Sequence, residues 1–177
     1  TSSVYRDWVE ETASVLARSR SNPALSQADG ELVAGIEPLF EQILTRWEIL
    51  GKQYESMPKA FVHGDFVAKN MVVVTESPPP HVLVFDWGEA HWGPTAIDLF
   101  DTDLGDYGAA LRQLDVEISR PALERSQSLG LLLRLIMAVR WDSARLETAY
   151  AEKAISHMES YSHALGALLG RADWLGR

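Results

Sequence analysis

The sequence predicts an α+β fold that is mostly α. Two observations place the helices and strands. Apolar residues recur at helical spacing before about residue 47 and again after residue 95, while short β-branched runs fill the middle. A third observation raises the question of function. In "FVHGDFVAKNMVVV", residues 61 to 74, a His, an Asp, a Lys and an Asn interrupt a strand-like stretch that then resumes with four apolar residues. Packing gives no reason for that break, whereas a functional loop between two strands does.

In chain order, Val4, Trp8, Thr12, Val15 and Leu16 form the first helical stripe, over residues 4 to about 20. "SNPALSQADG" reads as a loop. Leu32, Val33, Ile36, Leu39, Phe40, Ile43, Leu44 and Trp47 form a second stripe, and Pro38 inside it predicts a kink or a restart. "KAFVH", "NMVVVT" and "HVLVFDW" have strand chemistry, predicting strands over Phe61 to His63, Asn70 to Thr75 and His81 to Phe85. "ESPPP" predicts an exposed turn between the last two, because proline cannot donate to a sheet. After Thr95 helices return, one with Pro121 in its first turn, and the last with Ala154, Ile155, Met158, Tyr161, Leu165, Leu168 and Leu169 as its apolar stripe.

Composition narrows the classes of function. The 177 residues, 46% hydrophobic, suit one compact domain over 1–177, or the larger lobe of a bigger enzyme. The absence of cysteine excludes disulfides, thiolate metal sites and cysteine nucleophiles, and makes the cytoplasm the default compartment. A net charge of −9 without a basic run disfavours nucleic acid and favours a cationic small molecule, although an acidic surface also serves solubility. The longest apolar cluster, "LGLLLRLIMAV", is interrupted by Arg134, and no stretch reaches the roughly 20 apolar residues of a membrane span.

The polar residues fall into two blocks. His63-Gly64-Asp65 is followed by Asn70, five residues after the Asp, and Asp86 ends an apolar strand 16 residues later. A hairpin between the two strands brings Asn70 and Asp86 to one end, with Asp65 on the loop just before. Two carboxylates and a carboxamide are oxygen donors suited to a hard cation. Phosphoryl transfer needs such a set: Mg²⁺ on a carboxylate and an amide oxygen, and a separate carboxylate to orient a hydroxyl and accept its proton. Asp65 suits the base, and Asn70 and Asp86 suit the metal.

"VHGDFVAKNMVVV" followed by "VLVFDWGEAHWGPTAIDL" resembles the catalytic lobe of the aminoglycoside phosphotransferase and choline kinase-like family, relatives of the protein kinases. The matching positions are His63, Gly64, Asp65, Asn70, Asp86, Trp87, Gly93, Pro94, Asp98 and Leu99. The resemblance implies a protein-kinase-like carboxy-terminal lobe with a small β-hairpin carrying the catalytic loop. Asp65 would be the catalytic base, Asn70 and Asp86 the Mg²⁺ ligands, His63 the brace of the loop, and Asp98 a structural acid at the start of the following helix. ATP or GTP would be the phosphoryl donor, and a small-molecule hydroxyl the acceptor.

Two departures stand out. Gly88 precedes Glu89 where the family often has Glu directly after Asp-Trp, and Lys69 stands beside Asn70. Lys69 reads as a contact to phosphate, as a solvated lysine, or as a partner of Glu89. Ahead of the strand that leads into the catalytic loop, residues 1 to 60 show no glycine-rich turn and no strand carrying a lysine, so the amino-terminal nucleotide lobe is expected to be missing from this chain, which would alone be inactive. Two other classes remain: a non-catalytic binding module descended from such a lobe, and a metal-dependent hydrolase built on His63, Asp65 and Asp86. The hydrolase needs more ligands than these blocks supply.

Overall fold

The computed structural model describes residues 1–76 and 79–171. They form two compact units: Thr1–Ser56 with the chain from Leu135 onward, and Met57–Arg134. Ser77 and Pro78 of the expected proline turn lie outside the described residues.

The first unit is helical. In α1 (Ser2–Ser19) the buried residues are Tyr5, Val9, Thr12, Leu16 and Ser19, three or four apart. The stripe is therefore rotated from the expected one. Val4 is exposed, and Tyr5 takes the core position, where its hydroxyl donates to the Met137 sulfur at 3.3 Å. α2 (Gln27–Thr45) begins inside the segment expected to be loop. A capping box starts it there: Asp29 N donates to Ser26 Oγ (3.2 Å), and Ser26 N donates to Asp29 Oδ2 (2.9 Å). The helix runs through Pro38 without a restart, and Pro38 lies on its exposed side. Val33, Ile36, Phe40 and Ile43 form the buried face of α2. Burying each large apolar side chain contributes about 1.5–3 kcal/mol, so this face holds α2 against its neighbours α1 and α6.

α3 (Trp47–Ser56) buries Leu50 and Tyr54. α6 (Glu152–Gly170) buries five of the seven expected residues, leaving Ile155 and Tyr161 half-buried. The long α5 (Arg120–Leu146) contributes to both units. In its last part buried Asp142 accepts from Arg145 (2.8 Å), from His157 Nδ1 (2.8 Å) and from the Tyr161 hydroxyl (3.2 Å), which joins α5 to α6.

The second unit carries the strands. β2 (Met71–Val74) and β3 (His81–Val84) pair antiparallel, with Met71 opposite Val84. β1 (Lys59–Val62) pairs antiparallel with β4 (His91–Pro94), with Phe61 opposite Trp92. The three expected strands are present within two residues of their predicted ends. β4 was not expected, because "HWGP" has the composition of a turn and is held as a strand only by its partner. Short 3-10 turns cover Ala68–Asn70, Trp87–Glu89 and Thr95–Asp98. α4 (Leu104–Gln113) follows, with the Asp103 side chain capping it by bonds from Gly105 N and Asp106 N. Among the described residues no helix is long and apolar enough to cross a membrane.

Candidate active site

The site is assembled at the open end of the β2–β3 hairpin. Phe85 N donates to the Asn70 carbonyl (3.1 Å), extending the ladder by one bond beyond Met71 and Val84. Asn70 closes its 3-10 turn just before β2, and Asp86 follows Phe85 just after β3. The strand register therefore brings the two residues to the same end. Asp86 adopts the left-handed conformation (φ 63°), which Asp tolerates better than most residues, and its side chain is exposed.

The loop before Asn70 is fixed from two sides. His63 is 2% exposed, and its backbone N–H donates to Asp98 Oδ2 (2.7 Å). Gly64 N donates to the other oxygen, Asp98 Oδ1 (3.0 Å). Asp98 closes the 3-10 turn Thr95–Asp98, so it acts from the end of that turn and not from the start of a helix as expected. The His63 ring works on the other side. Asp65 N donates to its Nδ1 (3.3 Å), which makes Nε2 the protonated nitrogen that meets the Phe85 carbonyl (2.9 Å). Gly64 has φ 79°, and a Cβ there would lie 2.5 Å from the Glu89 carbonyl oxygen. Only glycine fits both demands, so the loop backbone can lie against the turn after Asp86. The Glu89 side chain is exposed, and this residue meets the loop through its backbone.

Asp65 is 7% exposed and heavily engaged. Arg134 Nη2 lies 2.6 Å from its Oδ1. Its Oδ2 receives Asn70 Nδ2 (3.1 Å) and is paired with Lys69 Nζ (3.2 Å). Lys69 thus partners Asp65, and the expected alternative of pairing with Glu89 is not what the structure shows. Burial raises the Asp65 pKa, but the charge of Arg134, the hydrogen bond and charge of Lys69, and the bond from Asn70 together outweigh it. The carboxyl is held below its ordinary value and stays ionised at neutral pH.

Asn70 Nδ2 also donates to the Asp65 carbonyl (2.9 Å). Asn70 spends its N–H donors on Asp65 and leaves Oδ1 for another partner. An amide oxygen and an exposed carboxylate at one hairpin end fit a hard cation that takes its remaining ligands from phosphate and water. Among the described residues, no group of three His, Asp or Glu side chains forms a self-sufficient metal cluster.

Arg134 was missed as a site residue. The only sign was that it breaks the apolar run of α5, a position where a charged side chain needs a partner.

A buried, braced acid beside an asparagine, with a second acid across the hairpin end, is the arrangement that the sequence resemblance leads one to expect. A sequence profile of the phosphotransferase enzyme family (APH) matches residues 11–102, and the chain belongs to that family. Comparison with curated protein sequences gives no match. Among solved structures, an ethanolamine kinase of Plasmodium vivax superposes with a TM-score of 0.57 at 13% identity. The superposition covers 92% of this chain and 48% of that one, so the chain spans about half the length of the kinase it resembles in fold.

Proposed function

We propose that this chain is the carboxy-terminal catalytic lobe of a nucleotide-dependent phosphotransferase that acts on a hydroxyl of a small molecule. Asp65 is the base. It orients the acceptor hydroxyl and takes its proton as the acceptor oxygen bonds the terminal phosphorus of ATP or GTP and the nucleoside diphosphate leaves. Asn70 Oδ1 and the Asp86 carboxylate would hold Mg²⁺, which would supply positive charge against the donor phosphates. His63 and Asp98 keep the loop in place. Lys69, on the exposed side of Asp65, is the contact to the phosphoryl group, and Glu89 lies beside the acceptor.

The observation that carries this reading is the Asn70 side chain bonded to Asp65, with Asp86 one residue beyond the Phe85–Asn70 hydrogen bond. The half-length match to the ethanolamine kinase supports a two-lobe enzyme whose nucleotide lobe lies outside these 177 residues. It also puts amino alcohols first among acceptors, which agrees with the attraction of a −9 chain for cations.

The test is a transfer assay on the full-length protein. Mg-ATP and Mg-GTP are offered with ethanolamine, choline, an aminoglycoside and a sugar alcohol, and Asp65→Asn is the control. Transfer to one acceptor, falling about 10²- to 10⁴-fold in the control, is expected. Nucleotide binding without transfer to any acceptor favours a binding module.

A further inference from the structure

The proposed reaction uses Asp65 as a base but leaves unexplained the part-buried cation that sits on it. Arg134 is a short 2.6 Å from Oδ1, and its side chain is 16% exposed. Lys69, the other cation, is 68% exposed. The two differ in how easily they yield. An exposed lysine pair is worth little and exchanges with water, whereas a part-buried arginine on a long helix does not leave.

The helix itself is fixed in register. Gln127, Gly130 and Arg134 lie three and four residues apart on one face of α5. Gln127 Nε2 donates to the carbonyls of Leu99 (3.2 Å) and Thr102 (2.7 Å). A Cβ at Gly130 would overlap the Ala96 carbonyl, so the α5 backbone rests directly on the turn Thr95–Asp98. Asp98 of that same turn holds the His63 and Gly64 N–H groups. The face that reads this turn ends on Asp65, and the reach of Arg134 is set by the contacts that precede it.

We propose that Arg134 is the positioning residue of the catalytic carboxylate: from α5 it clamps Asp65 Oδ1 and turns Oδ2 to the acceptor hydroxyl, which replaces Lys69 there. The inference rests on the phosphotransferase reading. It places the orientation of the base on a residue of the helix and not only on the catalytic loop. Asn70 then shares Oδ2 with the acceptor, and Lys69 is released toward the phosphoryl group.

Arg134→Met and Arg134→Lys test this with two readouts. The first needs no turnover: the Asn70 side-chain amide signals, observed by NMR in the 177-residue chain, report whether the Asp65 carboxylate keeps its orientation. Arg134→Met is expected to move these signals to positions typical of a solvated amide, and Arg134→Lys to keep most of the parent shift. The second is transfer by the full-length protein. Arg134→Met is expected to lower kcat about 10- to 100-fold, the scale of a misplaced reacting group, with KM for nucleotide within about twofold. Arg134→Lys is expected to recover the larger part. Unmoved Asn70 signals in Arg134→Met would overturn the proposal, as would equal losses in both variants that track a fall in melting temperature. If Asp65→Asn transfers at the parent rate, the assignment of the base fails. The Asn70 signals then still decide whether Arg134 sets the carboxylate.

Discussion

His63 Nε2 meets the Phe85 carbonyl at 2.9 Å, and this bond ties the loop bearing Asp65 to the strand end that presents Asp86. The same ring accepts from Asp65 N, so one buried side chain sets the spacing of the proposed base and the proposed metal ligand.

Replacing His63 by alanine removes both bonds and leaves the Phe85 carbonyl and the Asp65 N–H without that partner. A lost partner at a buried polar group costs about 1–3 kcal/mol. His63→Ala is expected to remain folded, to lose stability on that scale in urea denaturation, and to lose transfer by more than its stability loss explains. A variant with parental stability and activity would show that the ring is a passenger in the core.

Two glycine-to-alanine changes in helices are expected to have opposite signs. Alanine is favoured over glycine in a helix interior by about 1 kcal/mol. At Gly35, on α2, a Cβ meets nothing within 4 Å, so Gly35→Ala is expected to stabilise by about 0.4–1 kcal/mol. At Gly130 the new Cβ overlaps a backbone carbonyl that cannot move aside as a flexible side chain can, and the clash outweighs the propensity gain. Gly130→Ala is expected to destabilise, and to lower transfer because Arg134 rides on the same face. Thermal melts of the two variants against the parent check both signs.

The difference between these glycines was not legible in the sequence, and it illustrates what was. The strands β1, β2 and β3 follow from β-branched runs, and the His63–Asn70 and Asp86 blocks stand out because polar residues interrupt those runs. Such signals are local. β4 exists through its pairing with β1, Arg134 joins Asp65 across 69 residues, and Gly130 matters only because Ala96 lies against it. Each of these depends on a long-range contact that no window of sequence contains. The start of α2 was local but misread: Ser26 and Asp29, inside the segment read as a loop, already cap the helix.

Magnesium dependence is expected to separate the proposed roles of Asp65 and Asp86. Asp86→Ala removes an exposed carboxylate, so its cost to folding is mainly that of the left-handed backbone, which alanine tolerates less well than aspartate, about 1 kcal/mol. It is expected to raise the Mg²⁺ concentration for half-maximal transfer by about 10-fold or more, with excess Mg²⁺ recovering part of the rate. Asp65→Asn is expected to lower the rate without such recovery. A Mg²⁺ titration of both variants at fixed nucleotide checks this, and an unchanged Mg²⁺ requirement in Asp86→Ala would remove it as a ligand.

The capping box predicts a pH dependence of known sign. The Ser26 hydroxyl (2.6 Å) and the Ser26 backbone N–H both donate to Asp29 Oδ2 and hold its carboxyl below the ordinary value of 3.8, against a slight opposing effect of burial. The folded chain therefore binds the Asp29 proton less tightly than the unfolded chain. The stability from this linkage is fully present above the ordinary carboxylate range and is lost as pH falls through the lower folded value. Ser26→Ala removes the hydroxyl, and with it the cap bond from Asp29 N. At pH 7 it is expected to cost about 1 kcal/mol. At a pH below the lowered folded value the gap between variant and parent is expected to narrow, because protonated Asp29 no longer gains from the hydroxyl. Urea denaturation of both proteins at the two pH values measures the gap, and a gap that stays constant or widens on acidification would show that the two side chains are not coupled.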